Sequence, residues 1–202
     1  MEKNNFVSIN LSNNQSKGGN NMNKFFKKLV VNVAAFGFVI GAFATSSFAA
    51  NSSITGGSLS MTQPTVDNFA AVTLNGQIQT TTASLGAFTV TDATGTGSGW
   101  QLNVKASQFT DSVKGLTLPT NSLDIALPTV TAQAGASDVS TLTKASGKVD
   151  NATGVKILSA ALNGGMGAYD VSANTLTLNL QPKDVKAGTY TSTVSVTVTT
   201  GP

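Results

Sequence analysis

The 202-residue chain contains no cysteine and no histidine, and it has no arginine either. The missing cysteines rule out a disulfide framework and a lipid-acceptor thiol, and a chain of this size does not need disulfides to fold. About 150 residues can bury close to two-thirds of their unfolded surface, enough for one core. Beyond Ala49 glutamate is absent too. A serine or cysteine nucleophile would therefore lack a histidine base, and zinc sites of the usual His and Cys type cannot be built. The carboxylates left are Asp67, Asp92, Asp111, Asp124, Asp138, Asp150, Asp170 and Asp184. Their spacing favours no acid and base pair and lacks the Asp-x-Asp-x-Asp-Gly run of a calcium loop. No catalytic residue, metal ligand or cofactor is expected. Asp92, beside a glycine-rich turn, is expected to cap that turn through an Asx hydrogen bond.

Positive charge is concentrated at the N-terminus. Lys24, Lys27 and Lys28 precede an apolar run from Leu29 to Phe43, and Ser47-Phe48-Ala49 has the small-x-small pattern of a cleavage site. This predicts a secretory signal peptide within residues 1–49, cleaved after Ala49, with Met22 a plausible start of translation. The run is too short for a transmembrane anchor, which needs about 20 apolar residues. Residues 50–202 keep seven lysines and eight aspartates, a net charge of −1, so the basic pI of about 9.2 belongs to the leader. Scattered lysines without arginine form no basic patch, and no nucleic-acid partner is expected. Leu118-Pro119-Thr120-Asn121 carries Asn121 where a sortase signal needs threonine. No covalent anchor is expected, and any attachment at the cell surface would be non-covalent.

What remains is rich in Thr, Ser, Val, Ala, Leu, Asn and Gly, with alternating stretches and no helical period. This predicts an all-β fold, a single antiparallel sandwich or barrel-like domain over residues 50–202. Expected strands include Leu74 and Ile78, Leu123 to Leu127, Leu176 to Leu180, and a long run through Tyr190, Val194, Val196 and Val198, whose length predicts a central strand. Asn163-Gly164-Gly165 reads as a turn, residues 182–188 as one helical turn, residues 80–84 as a short polar patch, and residues 133–154 as an exposed excursion.

The most specific stretch is Phe88 to Ala106. Phe88 and Val90 alternate with Thr89 and Thr91. Thr94-Gly95-Thr96-Gly97-Ser98-Gly99 supplies a turn, and Trp100, Leu102, Val104 and Ala106 then share a face opposite Gln101, Asn103 and Lys105. With Val155-Lys156-Ile157-Leu158-Ser159-Ala160, Gly164-Gly165-Met166-Gly167-Ala168-Tyr169 and Ala187-Gly188-Thr189-Tyr190-Thr191-Ser192-Thr193, in that order, it resembles the WxL domain of Gram-positive cell-surface proteins. The likeness covers nearly the whole chain after residue 51. One departure is plain: where the family commonly carries a second Trp-any-Leu, this chain reads Val196-Thr197-Val198.

The resemblance implies a secreted protein of the cell wall or extracellular surface that associates non-covalently with peptidoglycan, as an adhesion or scaffold component. A second reading is a protein-interaction or fibre-forming subunit of a surface complex, with other surface proteins as partners and no direct glycan contact. The candidate ligand contacts are Trp100, Gln101, Leu102 and Tyr190. For Trp100 the alignment with Leu102, Val104 and Ala106 favours core packing; the alternative is an indole platform for a saccharide ring. The polar faces around Gln101, Asn103, Lys105, Thr177, Asn179, Thr191, Thr193, Thr197 and Thr199 could receive a flat polymer, although wet strand faces favour threonine anyway.

Overall fold

The computed structural model describes residues 50–202, and Ser53–Pro202 forms a compact unit. The expected signal peptide and Met22 lie outside the described residues. Among those residues no helix is long and apolar enough to cross a membrane.

The fold is all-β and antiparallel. One sheet has the order β1 (Leu59–Met61), β3 (Phe88–Asp92), β12 (Gly167–Val171), β8 (Val130–Ala132). A second runs β10 (Gly147–Lys148), β7 (Leu123–Ile125), β13 (Asn174–Leu180), β2 (Gln79–Leu85), and a third β14 (Val194–Thr200), β4 (Trp100–Ala106), β11 (Val155–Ala160), β9 (Leu142–Lys144). A small hairpin pairs β5 (Thr110–Asp111) with β6 (Leu116–Thr117). Strands form where apolar residues recur at every second position, because successive side chains point to opposite faces of a sheet. Leu176, Leu178 and Leu180 of β13 are buried while Thr175 is exposed, and Phe88 and Val90 of β3 are buried. Trp100, Leu85, Leu123, Ile125, Leu158, Leu176 and Tyr169 belong to one continuous core. Each large apolar side chain so buried contributes roughly 1.5–3 kcal/mol relative to exposure.

Five sequence expectations are corrected. No strand forms at Leu74 and Ile78, which are exposed; a turn at Asn75 and Gly76 (φ 76°), in which the Gln77 N–H donates to Asn75 Oδ1 at 3.0 Å, breaks the chain there. The strand starts at Gln79, and the patch at residues 80–84 is the middle of β2, where Thr81, Ala83 and Leu85 point inward. Leu127 is exposed, because β7 ends at Ile125, ahead of Pro128. Residues 133–154 are more than an exposed excursion, since they carry a 3-10 turn (Val139–Thr141), β9 and β10 and bury Leu142, Val149 and Asp150. The Asp150 carboxylate accepts from the N–H groups of Ser122 and Leu123 at 2.8 and 3.0 Å, so it ties this segment to the second sheet. Finally, β14 is an edge strand, not a central one.

Candidate functional site

β4 lies between β14 and β11, so its two faces are fixed by two neighbours. Its inner row, Trp100, Leu102 and Val104, is wholly buried, with Ala106 nearly so. The Trp100 indole N–H donates to Gly165 O at 2.8 Å, and its ring centroid lies 6.0 Å from that of Tyr169, inclined at 55°. Tyr169 in turn donates its hydroxyl to Ser137 O at 2.9 Å. Gly165 has φ 69°, and a Cβ there would lie 2.7 Å from the indole nitrogen and 2.2 Å from Ala160 Cβ. Only glycine fits. Ala160 pairs directly with Trp100 across β11. Thus three separated stretches of the sequence, around Trp100, Ala160 and residues 164–169, close on one indole.

The entry to β4 is held in the same way. Asp92 Oδ1 accepts from the Thr94 N–H at 3.0 Å and from its hydroxyl at 2.7 Å, as expected for an Asx turn. The Asn163 N–H then donates to Gly97 O at 2.7 Å, docking this glycine-rich turn on the turn at residues 163–165, where Asn163 takes φ 63°.

The outer face of this sheet is polar. Across it runs the row Thr199, Gln101, Ser159, Thr143, contributed by β14, β4, β11 and β9 in turn. Beside it lie Thr197, Asn103 and Lys156, then Ser195 and Lys105. Neighbouring strands are about 4.8 Å apart, so the first row extends across roughly three such intervals. No side chain of that row donates or accepts a hydrogen bond among the described residues, so all four offer free hydroxyl or carboxamide groups to solvent. The second and third rows are partly engaged. Asn103 Nδ2 donates to Thr153 O at 3.2 Å, Lys105 Nζ to Ala152 O at 2.7 Å, and Ser195 Oγ to Lys105 O at 3.2 Å. The face carries two lysines and no carboxylate.

The four candidate contacts therefore separate. Trp100 and Leu102 present no surface to solvent, whereas Gln101 between them faces outward and is half-buried. Tyr190 belongs to neither face near Trp100. It precedes β14 beside the Thr110–Thr191 bridge, beyond the Ala106 end of β4, and its hydroxyl donates to Lys186 O at 2.9 Å. Its segment is anchored by Asp111, whose Oδ2 accepts from the Thr189 N–H at 2.9 Å and whose Oδ1 accepts from Lys114 and Val113 at 2.9 and 3.0 Å. The backbone N–H groups of Lys114 and Thr189 hold the Asp111 carboxyl below the usual carboxylate range.

Thr177 and Asn179, expected on a polar face, lie on β13 in the second sheet, where Asn179 donates to Ser122 O and Asp124 Oδ2. Conversely, Ser159, Lys156 and Thr143 join the outer face without having been foreseen. A register shift in β11 between Lys156 and Leu158 leaves Ile157 unpaired. This bulge lets Ile157 and Leu158 both turn inward and resets the alternation, so Ser159 faces out. Two adjacent large apolar residues in a strand context are the signal that could have found it.

A family model for the WxL domain, described as surface cell wall-binding, matches residues 47–202. The chain belongs to the WxL family. No curated protein and no solved structure shows a significant match to it. Membership places this WxL chain among cell-wall-binding surface domains. In this chain the Trp and the Leu of the family's name are built into the core, and the residue between them is the one that solvent meets.

Proposed function

We propose that this WxL protein is exported, loses its N-terminal leader, and is held non-covalently at the cell wall by contact between the outer face of the Trp100 sheet and the glycan of peptidoglycan. The observation that carries this reading is the uncovered row Thr199, Gln101, Ser159, Thr143, on the same strand as the family signature. Hydroxyl and carboxamide groups donate and accept alike, which suits a polymer of hydroxyl and N-acetyl groups. Trp100 and Leu102 act by positioning: they fix β4 from below so that Gln101 is displayed above. Binding at such a face is an adhesive or scaffolding role and requires no turnover.

Co-sedimentation with purified, protein-stripped peptidoglycan tests it. The wild type is expected in the pellet, and a Gln101→Ala, Ser159→Ala, Thr143→Ala variant, with an unchanged circular dichroism spectrum, is expected to lose at least about tenfold in affinity, as the sum of three hydrogen bonds of about 1 kcal/mol each more than allows. A folded triple variant that pellets like the wild type removes the face from consideration. A wild type that stays in the supernatant removes direct peptidoglycan binding.

A further inference from the structure

Among the described residues the three large sheets end in six edge strands, and five of them are blunted. β1, β8 and β9 have three residues each and β10 has two. β2 is long, but the segment before it covers part of its outer side: the Asp67 N–H donates to Ser84 O and the Gly86 N–H to Thr65 O. Short or covered edges are how sheets avoid pairing with other chains. β14 is the exception. It has seven residues, Val-Ser-Val-Thr-Val-Thr-Thr, with no charge, no proline and no bulge against β4.

Its hydrogen-bonding parity is fixed at both ends. The Ser107 N–H donates to Thr193 O and the Gly201 N–H to Gly99 O, each at 2.9 Å. Ser195, Thr197 and Thr199 therefore turn their backbone groups toward β4, and Val194, Val196, Val198 and Thr200 turn theirs outward. No backbone hydrogen bond joins these four to another segment among the described residues. β1 passes close to β14 but is not bonded to it, so the edge is bordered and not paired.

We propose that β14 is a docking edge at which a second copy of this chain adds its own β14 antiparallel, about a two-fold axis midway between Thr197 and its mate. The strand is nearly self-complementary about that point. Val196 meets Val198 of the second copy on the inner side, Ser195 meets Thr199 and Thr197 meets its own mate on the outer side, and Val194 meets Thr200. The outward-facing groups then exchange bonds in pairs, and an uncharged strand meets its copy without repulsion. A two-fold contact uses the same patch on both partners, and because the other edges are blunted, growth stops at two. The polar rows of the two copies become one continuous face. This inference does not depend on wall binding.

The chain has no cysteine, so a single introduced one can be oxidised only against its counterpart in another molecule. Thr197→Cys, at a non-hydrogen-bonded pair with Cα atoms about 4.5 Å apart, falls within disulfide reach of about 4.4–6.8 Å. Mild oxidation of the full-length variant is expected to give a cross-linked dimer, while Thr199→Cys, placed opposite Ser195, stays monomeric. In sedimentation equilibrium of the cysteine-free protein, Thr200→Pro removes an outward N–H twice per dimer and is expected to raise the dimer dissociation constant by about tenfold. Thr143→Lys, at the far edge of the same face, leaves it unchanged. The proposal is overturned if Thr197→Cys remains monomeric, if both cysteine variants cross-link equally, or if a wild-type dimer is indifferent to Thr200→Pro. Cross-linking of Thr197→Cys on cells to a different protein would likewise overturn the second copy as occupant.

Discussion

Trp100 is fastened at three points: its indole N–H to Gly165 O, its ring to Tyr169, and its backbone between Ala160 and Thr200. Trp100→Ala is expected to cost about 3–5 kcal/mol, read from urea unfolding, and to weaken wall binding only to the extent that the protein unfolds. Asp111 supplies a prediction in pH. Its carboxyl is held below its ordinary range by backbone N–H groups of Lys114 and Thr189. A carboxylate with a lower pKa in the folded than in the unfolded chain stabilises the fold above the unfolded value, about 3.9, and loses that contribution as pH falls through the folded one. Thermal unfolding between pH 6 and pH 2 should therefore fall less steeply for Asp111→Asn than for the wild type. The same variant should be the less stable at pH 6, because asparagine replaces a charged acceptor.

Between elements, the approach of one segment to another is decided by glycines that have no room for a side chain. At Gly99, with φ 72°, a Cβ would lie 2.3 Å from Ala160 O, so β4 could not begin against β11 with any other residue. Gly99→Ala and Gly165→Ala are each expected to destabilise by more than about 1 kcal/mol, since both steric overlap and a positive φ are imposed, with the loss visible as a lower midpoint in denaturant. Strand content was largely legible in the sequence wherever apolar residues alternate, as in β3, β4 and β13. It was illegible where threonine takes inward positions, as in β2, because threonine reads as polar although its methyl packs well on a pleated surface. Illegible too was the phase of β11, since a bulge is one residue out of period. Half of the candidate face followed from β4 and β14 alone. The other half required knowing that β11 and β9 complete the sheet.

At the scale of the molecule, burial is bought partly with polar ties. Asp150, which is 1% exposed, satisfies the backbone N–H groups of Ser122 and Leu123 at the start of β7. Asp150→Ala leaves both unpaired and is expected to cost about 2–4 kcal/mol, with early loss of amide protection at Ser122 and Leu123 in hydrogen exchange. The outer face of the Trp100 sheet carries lysines at 105 and 156 and no acid, while residues 50–202 carry a net charge of −1. Binding through hydroxyl and carboxamide groups should change little between low and high salt, which co-sedimentation across a salt series would read, because screening acts on exposed charges. The sequence alone could not order the sheets, since alternation says which face of a strand is dry and not which strand lies beside it.

The position of β4 has a temporal side. Asn103 meets Lys156 on one flank and Thr197 on the other, so the strand that bears the sole tryptophan emerges long before either neighbour exists. While the chain is still incomplete the indole stays in water, and it enters an apolar surrounding only when the last strands arrive. Emission from Trp100 is thus a clock for completion of the fold, and a blue shift in time-resolved refolding would mark the moment at which the third sheet closes.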